Sequence, residues 1–308
     1  MYNVFIDGKE GTTGLQIFER LGKREDIKII SLPEELRKDP AARKEAINAS
    51  DVTFLCLPDG AAKESVSLVE SDKVKVIDAS TAHRTNPTWA YGFAELSKAH
   101  RNKIATSNLI ANPGCYASGF IALVYPLIQG GIAGKEYPFT CHAVSGYSGA
   151  GKKGIAQYEA KDRESIFDSP RLYGLTLSHK HIPEMVAQCN LAQNPIFNPY
   201  VCDYYCGMAV NVPLFTSLLN KKMSVKDLTE FYREFYGDSH FISVGNEESG
   251  FISANVLNGT NRMELLINGN DEQLLLTARF DNLGKGASGA AVQNMNIALG
   301  LDETVGLL

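Results

Sequence analysis

The first eighty residues alternate apolar runs of strand length with segments of helical spacing, and this alternation limits the fold more than any other feature. The first run, residues 4–7, is followed by a glycine turn and then by apolar residues at helical spacing over 15–21. Further strand-like runs occupy residues 27–31, 51–58 and 74–78, with helical segments at 34–49 and 60–71 between them. Strands that alternate with helices favour a parallel, doubly wound sheet. The sequence therefore predicts a Rossmann-type α/β domain.

Three glycines lie in the turn between the first strand and the first helix. They are Gly8, Gly11 and Gly14, with Thr12 and Thr13 between the last two. Their GxxGxxG spacing departs from the GxGxxG fingerprint of dinucleotide sites. Glycines let the backbone approach a pyrophosphate, which the amides of the helix N-terminus then bind. The turn either binds a dinucleotide or simply needs glycine to join strand to helix.

The end of the second strand bears on which nicotinamide nucleotide would fit. In NAD-binding domains an Asp or Glu at this position binds the 2′-hydroxyl of the ribose, but here Ser31 occupies it. A 2′-phosphate would not be repelled by a serine, so NADP is favoured over NAD. The alternative is that Glu34, which follows Pro33, reaches the ribose.

Two loops after later strands are expected to bind ligands, because ligands bind at the carboxyl ends of parallel strands. The first loop begins at Pro58. The second covers residues 78–84 and offers the Ser80 hydroxyl and the Arg84 guanidinium, which suit an anionic group. A surface salt bridge is the other interpretation of Arg84.

Cys115 follows a turn of small residues at 112–114 and precedes an apolar run at 120–128. We expect it at or near a helix N-terminus, where backbone N–H groups and the helix dipole favour a thiolate. It is either a nucleophile or a small buried side chain, which is the usual role of a free cysteine. The other five cysteines form no CxxC pair and are interpreted as core thiols.

Two histidines and a carboxylate lie within residues 178–184. On an extended segment alternate residues face the same side, so His179 and His181 would point into one pocket. They could activate a cysteine, because histidine exchanges protons near neutral pH. They could also bind a metal, but no third ligand has suitable spacing, so no metal is predicted. An exposed loop is the third interpretation.

From residue 139 onwards strand-like runs dominate and no longer alternate with helices. These runs occupy residues 139–144, 208–214, 251–256, 262–267 and 274–280, with a helix at 225–236. They predict a second, α+β domain on a mixed or antiparallel sheet. A small-residue helix after residue 284 is expected to return to the first domain. The predicted dinucleotide-binding domain is therefore 1–114 and 285–308, and residues 115–284 form the domain for catalysis, substrate binding and oligomerisation.

Composition narrows the class of partner. The 308 residues are 44% hydrophobic and carry a net charge of −5. These values are typical of a globular protein with a sizeable core and indicate neither nucleic acid nor an anionic membrane as partner. The first residues lack the basic and apolar regions of a signal peptide. The longest apolar run, 119–128, is interrupted by Pro126 and is shorter than the roughly 20 residues that span a bilayer. We expect a cytoplasmic location.

Four motifs, in this order along the chain, resemble those of the N-acetyl-gamma-glutamyl-phosphate reductase family in its shorter form. They are the GxxGxxG turn at 8–14, Asn112-Pro113-Gly114-Cys115-Tyr116, His179-Lys180-His181-Ile182-Pro183-Glu184 and the glycine-rich stretch at 284–294. The resemblance spans the whole chain. The related aspartate-semialdehyde dehydrogenases do not share the His-x-His-x-Pro-Glu stretch in this form.

The resemblance implies an NADP-dependent enzyme of arginine biosynthesis. Cys115 would attack N-acetyl-gamma-glutamyl phosphate and release phosphate, and NADPH would reduce the resulting thioester to N-acetylglutamate 5-semialdehyde. A thiolate suits both stages of this reaction, because it attacks the acyl phosphate readily and is a good leaving group when the aldehyde is released. His181 or His179 would be the general acid/base. His181 is favoured because Pro183 and Glu184 lie closer to it, and Glu184 would orient it or hold substrate.

The resemblance also assigns residues to the two ligands. The predicted cofactor-binding residues are Gly8, Gly11, Thr12, Thr13, Gly14, Ser31, Pro58, Ser145, Gly146, Asn282 and Gly286. The predicted substrate- and phosphate-binding residues are Ser80, Arg84, Asn112 and Gly149. Members of this family are homo-oligomers, dimers or tetramers, which the sequence itself does not show.

Three other functions share part of this evidence. An aspartate-semialdehyde dehydrogenase would use the same thiolate on aspartyl phosphate. A dinucleotide-binding sensor would have the fold without catalysis. A thiol hydrolase would need no cofactor, and the glycine turn after the first strand argues against it.

Overall fold

The computed structural model describes residues 1–245 and 250–308 of the chain. These residues divide into two compact units. The first comprises Met1–Gly114 and Ala287–Leu308, and the second comprises Cys115–Gly286. Each unit is built on its own sheet.

The sheet of the first unit has six parallel strands in the order β2-β1-β3-β4-β6-β5. The strands are β1 (Tyr2–Asp7), β2 (Ile27–Ile30), β3 (Val52–Leu55), β4 (Lys75–Asp78), β5 (Ala90–Tyr91) and β6 (Leu109–Ala111). The strand order reverses between β1 and β3, and ligands bind in parallel sheets at the carboxyl ends of strands beside such a reversal. The predicted doubly wound fold is confirmed.

Four helices lie between the strands of the first unit; the sequence pattern predicted three of them, at 15–21, 34–49 and 60–71, and did not predict the one at 98–106. They are α1 (Thr12–Leu21), α2 (Pro40–Asn48), α3 (Asp59–Ser67) and α4 (Lys98–Thr106). The predicted segment at 34–49 is divided into a 3-10 turn at Glu34–Leu36 and α2. The division falls there because the Asp39 side chain accepts a bond from the Ala42 N–H and Pro40 follows, a combination that starts a new helix.

The second unit is built on a seven-stranded mixed sheet in the order β11-β12-β13-β10-β7-β9-β8. Its strands are β7 (Thr140–Gly146), β8 (Arg171–Leu172), β9 (Ile196–Cys202), β10 (Met208–Phe215), β11 (Ile242–Val244), β12 (Met263–Gly269) and β13 (Gln273–Phe280). Two pairs, β7 with β9 and β11 with β12, are parallel, and the other pairs are antiparallel. The predicted mixed sheet is therefore confirmed.

One predicted strand of the second unit is wrong. Residues 251–256 form no strand, and Phe251 is 94% exposed. The chain turns here instead, because Gly259 adopts a positive φ of 77° and its N–H donates to the Asp281 carboxylate at 2.6 Å. Apolar residues in this segment resemble a strand in sequence but lie in an irregular stretch and a turn.

The helices of the second unit are α5 (Cys115–Gln129), α6 (Gly151–Glu159), α7 (Ile182–Cys189) and α8 (Val225–Phe235). The first of these, α5, is apolar all round and is buried from Tyr116 to Leu127 against β10 and β13. It continues through Pro126, which has no N–H to bond the Ala122 carbonyl one turn earlier. The Tyr236 hydroxyl donates to that carbonyl at 2.8 Å. A side chain therefore replaces the missing helical bond.

The C-terminal segment begins with one π-helical turn at Gly284–Ser288 and continues as α9 (Gly289–Ala298). Every residue of α9 is buried, and its small side chains let it pack closely on α4 and β4 in the first unit. Within the described residues, no helix combines the length and the apolar character that crossing a membrane would require.

The replacement of the helical bond at Pro126 predicts a specific coupling. Tyr236→Phe leaves the buried Ala122 carbonyl without this donor and should lower the free energy of unfolding by about 1–3 kcal/mol. Pro126→Ala restores a backbone N–H, so Tyr236→Phe in that background should cost markedly less. A double-mutant cycle by urea unfolding, followed by far-ultraviolet circular dichroism, measures the difference. Equal costs in the two backgrounds would contradict this account.

Candidate active site

Cys115 is the first residue of α5 and is partly buried. The expected position at a helix N-terminus is confirmed. The N–H groups of the first helical turn and the helix dipole both favour a negative charge at this end. Because α5 is buried from Tyr116 to Leu127, packing of the helix fixes the position of the Cys115 backbone.

Gly286 lies directly behind Cys115. A β-carbon added to Gly286 would be 2.9 Å from the Cβ atom of Cys115 and 3.2 Å from both the Asp281 carbonyl oxygen and the ring of Phe280. The Gly286 N–H also donates to that carbonyl at 3.0 Å, within the π-helical turn. Since the obstacles are backbone and rigid atoms, a side chain at this position would displace Cys115 itself.

Tyr116, the next residue of α5, is surrounded by aromatic rings. Ring centroids lie 5.9 Å away for His179, 6.0 Å for His181, 6.4 Å for Tyr173 and 5.2 Å for Phe197. The Tyr116 hydroxyl donates to the Tyr200 carbonyl at 3.2 Å. Burial raises the pKa of Tyr116 well above its usual value, so the phenol stays protonated. This cluster places both histidines next to the residue that follows Cys115.

The two histidines converge, but not on an extended segment as the sequence suggested. The Ile182 N–H donates to the His179 carbonyl at 2.9 Å, so the chain turns and α7 begins immediately after His181. The His181 N–H donates to Nδ1 of His179 at 3.1 Å. The two rings meet edge to face with centroids 4.8 Å apart. The two rings are therefore in contact, but the extended geometry assumed for them is wrong. That both rings face one pocket remains a prediction.

His179 and His181 have different surroundings. Burial lowers the pKa of His179 to about 4, and the charge of Lys180 acts in the same direction. Because Nδ1 of His179 accepts a bond, its proton lies on Nε2, which is 3.5 Å from the Tyr173 hydroxyl. His179 is therefore neutral at physiological pH. His181 is buried at the start of α7, and Glu184 is buried in the first turn of that helix.

No group of three or more histidine, cysteine, aspartate or glutamate side chains is arranged to hold a metal ion within residues 1–245 and 250–308.

Several predicted ligand-binding residues of the second unit lie in or next to the loop that follows β7, and the Asn282 side chain connects this loop to Gly207. The Asn282 side chain accepts a bond from the Gly207 N–H at 2.9 Å and donates to the Ser148 hydroxyl at 2.9 Å. Gly146 has no room for a side chain, because its β-carbon would be 2.5 Å from the Tyr205 carbonyl oxygen. Ser145 is buried beside it, and a β-carbon on Gly149 would approach the Asn282 amide at 3.4 Å. In this structure these residues organise the loop at 145–151.

In the first unit, the glycine turn after β1 is closely packed. Gly8 has a φ of 86°, and a β-carbon there would be 2.5 Å from the Cys56 carbonyl oxygen. A β-carbon on Gly14 would be 2.6 Å from the Gly8 carbonyl oxygen, which also accepts a bond from the Gly11 N–H at 3.0 Å. Thr12 and Thr13 are the first residues of α1. The turn therefore brings bare backbone and the N-terminus of α1 together, as phosphate binding requires.

A cavity of about 730 Å³ lies beside this turn. Ser31, at the end of β2, lines it together with Gly8 and Leu57. Pro58, the neighbour of Leu57, is the N-cap residue of α3. The cavity lies at the carboxyl ends of β1, β2 and β3, where a parallel sheet binds its ligand.

The predicted phosphate-binding residues of the first unit are engaged with the protein. Ser80 and His83 both donate to the Asp78 carboxylate, at 2.8 and 2.6 Å. Arg84 is buried rather than on the surface, and it donates to the carbonyls of Asn112 and Ala79 at 2.9 Å each.

Asn112 is similarly engaged. Its amide donates to the Ala287 carbonyl at 3.0 Å and its side-chain oxygen accepts a bond from Asn294 at 3.0 Å. These bonds, with those of Arg84, hold the loops after β4 and β6 in place.

Family models and solved structures define the class of protein. A semialdehyde dehydrogenase dimerisation domain matches residues 115–282, and a semialdehyde dehydrogenase NAD binding domain matches residues 19–105. An aspartate semialdehyde dehydrogenase from Francisella tularensis is similar with a TM-score of 0.73 and 12% identity, over 96% of this chain and 99% of that one. Aspartate semialdehyde dehydrogenase II from Vibrio cholerae is similar with a TM-score of 0.71 and 14% identity, over 97% of this chain and 98% of that one. The fold is that of the semialdehyde dehydrogenases.

Sequence relatives narrow the class further. A protein from Brucella ovis named N-acetyl-gamma-glutamyl-phosphate reductase is 47% identical to this chain, over 96% of this chain and 98% of the relative. Two relatives named N-acetyl-gamma-glutamyl-phosphate reductase 2 are each 45% identical to this chain. The one from Nostoc matches over 99% of this chain and 98% of the relative, and the one from Pseudomonas putida over 96% of each. The chain belongs to the N-acetyl-gamma-glutamyl-phosphate reductase family. The resemblance seen in its four motifs is confirmed.

The aromatic residues around the histidines were not predicted from the sequence. Tyr173 and Phe197 are distant from Cys115 along the chain, and no spacing pattern connects them to it. Tyr116 belongs to the motif at 112–116, but the sequence predicts no role for it. Its place directly after Cys115, on a helix expected to be buried, is the sequence signal that could have indicated its role.

Gly286→Ala should displace Cys115 without unfolding the protein. We expect alkylation of Cys115 by iodoacetamide, followed by peptide mass spectrometry, to slow about 3–10-fold, because moving the thiol away from the helix N-terminus removes stabilisation of its thiolate. Gly60→Ala is the matched control, because no atom lies within 4 Å of the added carbon. An unchanged alkylation rate in the Gly286 variant would show that this packing does not position the thiol.

Proposed function

We propose that this protein reduces N-acetyl-gamma-glutamyl phosphate to N-acetylglutamate 5-semialdehyde and phosphate, with NADPH as reductant, in arginine biosynthesis. The observation that carries the proposal is the position of Cys115 at the N-terminus of a buried helix, beside the cluster that holds two histidines, in a chain of this family. The first unit is proposed to bind the dinucleotide, and the second to carry out catalysis. A cytoplasmic location remains a prediction from the sequence.

The residues around the glycine turn fit a nicotinamide dinucleotide. Gly8 and Gly14 keep the backbone bare where a pyrophosphate would lie, and the N-terminus of α1 supplies N–H donors. Ser31 lines the adjoining cavity where NAD-binding domains have a carboxylate, which supports NADP. The bound cofactor supplies the hydride. The roles of Pro58, Ser145, Gly146, Asn282 and Gly286 in binding it remain predictions.

Cys115 carries the acyl group in this proposal. Its thiolate attacks the carbonyl carbon of the acyl phosphate, the bond from that carbon to the phosphate oxygen breaks, and phosphate leaves with the bonding electrons. The product is a thioester on Cys115. After hydride addition and protonation of the oxygen, a thiohemiacetal remains. Loss of the hydroxyl proton then breaks the carbon–sulfur bond and regenerates the thiolate.

His181 is the proposed general acid/base. His179 is a poor candidate because burial holds its pKa near 4 and its Nδ1 already accepts the His181 N–H. His179 instead orients His181 through that bond and through the edge-to-face ring contact. Glu184, in the first turn of the same helix, is proposed to orient His181 or hold substrate. Ser80, Arg84, Asn112 and Gly149 remain the predicted substrate and phosphate residues.

A homo-oligomer, dimer or tetramer, is part of the proposal. The family model that matches the second unit is described as a dimerisation domain. Along β7, β10 and β13, the residues on one face are buried while His142, Asn211 and Leu275 on the other are accessible. This accessible face is the proposed contact surface.

The alternative substrate is aspartyl phosphate, because the similar solved structures are aspartate semialdehyde dehydrogenases. At 12–14% identity they establish the fold alone. A reverse assay with N-acetylglutamate semialdehyde, phosphate and either NADP or NAD tests substrate and cofactor together. A preference for aspartate semialdehyde, or for NAD, would contradict the corresponding part of the proposal.

Cys115→Ser should abolish this activity and leave nucleotide binding intact, because serine is a much weaker nucleophile near neutral pH. We expect turnover to fall below detection, at least about 10⁴-fold, while NADPH fluorescence titration gives the wild-type dissociation constant. Cys56→Ser is the matched control, since burial raises the pKa of the Cys56 thiol to about 12 and leaves it unreactive. Near-normal turnover of the Cys115 variant would refute the thioester mechanism.

The two histidines should respond differently to substitution. His181→Gln removes the proposed acid/base and should lower kcat by about 10²–10⁴-fold. His179→Asn keeps an acceptor for the His181 N–H and should lower kcat by no more than about tenfold. Its pH–rate profile between pH 6 and 9 should match wild type, because a group with a pKa near 4 does not titrate there. Equal losses in both variants, with a changed profile for His179→Asn, would assign the proton transfer to His179.

A further inference from the structure

An ion pair lies within the cavity beside the glycine turn. Nη1 of Arg37 is 3.0 Å from Oε1 of Glu10. Glu10 belongs to the turn between Gly8 and Gly11, Arg37 follows the end of β2, and both line the cavity with Ser31. The pair therefore joins the predicted pyrophosphate turn to the strand end that reads the 2′ position of the ribose.

The backbone holds Arg37 in place. The 3-10 turn at Glu34–Leu36 ends at Arg37, whose N–H donates to the Glu34 carbonyl at 3.4 Å. Two residues later, Asp39 caps α2. Arg37 is thus fixed between a turn and a helix start. Its side chain is about one third exposed, and that of Glu10 is half exposed.

The other cations that line the cavity are placed differently. Arg43 is buried, and it contacts Asp7 and Glu64 at 3.0 Å each and the Ser65 hydroxyl at 2.5 Å. Turning it towards a ligand would leave the buried Asp7 carboxylate without its partner, which is costly. Lys9 lies over the Phe18 ring at 4.6 Å. Lys38 is exposed, and its ammonium lacks the two-pronged geometry that suits a phosphate.

We propose that Arg37 binds the 2′-phosphate of the cofactor and that Glu10 competes with this phosphate for Arg37, so that Glu10 limits the preference for NADP. The inference rests on the proposed function, because it takes the nucleotide to bind at the glycine turn.

The exchange is favourable because a phosphate dianion carries more charge than a carboxylate and, like a carboxylate, can accept two N–H bonds from the guanidinium. A half-exposed ion pair such as Arg37 with Glu10 is weakly held. Glu34 and Glu35 also line the cavity and repel an anion, so binding of a phosphate there depends on Arg37.

The test measures binding of two nucleotides to the full chain by isothermal titration calorimetry. Adenosine 2′,5′-bisphosphate and adenosine 5′-monophosphate differ only by the 2′-phosphate. The variants are Arg37→Gln and Glu10→Gln. Glu70→Gln is the matched control, because Glu70 forms an exposed ion pair with Lys44 at 2.6 Å and does not line the cavity. It removes the same charge from the same unit.

Arg37→Gln should weaken bisphosphate binding by about 10–100-fold and monophosphate binding by no more than about threefold, since only the former contacts the guanidinium. Glu10→Gln should strengthen bisphosphate binding by about 3–10-fold at low salt, and this gain should shrink at high salt. Glu70→Gln should change neither by more than about twofold.

Equal effects of Arg37→Gln on both nucleotides would overturn the assignment of Arg37. If Glu10→Gln changes bisphosphate affinity no more than Glu70→Gln does, the proposed competition between Glu10 and the 2′-phosphate for Arg37 is wrong. Neither result depends on turnover, so both can be obtained if the protein reduces a different acyl phosphate. Equal binding of the two nucleotides by wild type would overturn both the inference and the NADP preference, while reductase activity with NADH would still support the thioester mechanism.

Discussion

The burial of α5 is the constraint on which the second unit depends. A helix that is apolar on every side must be covered on every side, and β10, β13 and α7 all contact it. Such a helix cannot shift or rotate without exposing apolar surface. The proline inside it would break the backbone bonding, yet a tyrosine from the end of α8 bonds the carbonyl that the proline leaves unmatched. The position of Cys115 at its first residue is therefore set by packing of the helix from Tyr116 to Leu127, and not by contacts of the thiol alone.

Sequence patterns predicted the parts of the fold that depend on local periodicity. The alternation of short apolar runs with segments of helical spacing over residues 4–78 predicted the parallel sheet of the first unit, which the structure shows. The patterns failed where other interactions decide the structure. Short strands such as β5 and β8 contain too few residues to show a period, and β9 contains Pro199, which sequence rules place outside a sheet interior. The false strand at 251–256 has suitable side chains, but a glycine and an aspartate from β13's end bend the chain there.

The candidate site shows the same division between local and distant information. Cys115, the histidine pair and the glycine turn are visible as motifs because each is a run of neighbouring residues. Their surroundings are not visible in this way. The Tyr116 cluster collects rings from four segments, and burial lowers the pKa of His179, whose Nδ1 accepts a bond from the His181 N–H. The structure also gives Asn112, Asn282 and Arg84 bonds within the protein that a motif could not reveal. Such residues can be essential because they hold loops in place.

The stacking of His83 on Trp89 has a practical consequence. The rings are parallel within 8° and 4.0 Å apart, and His83 also donates to the buried Asp78 at the end of β4. The chain has one tryptophan. Its indole emission therefore comes entirely from the loop that follows β4 in the first unit. Tryptophan emission, excited selectively over tyrosine, therefore reports the state of that loop, whereas circular dichroism averages over both units. A difference between the two signals during unfolding would separate the two units without any added label.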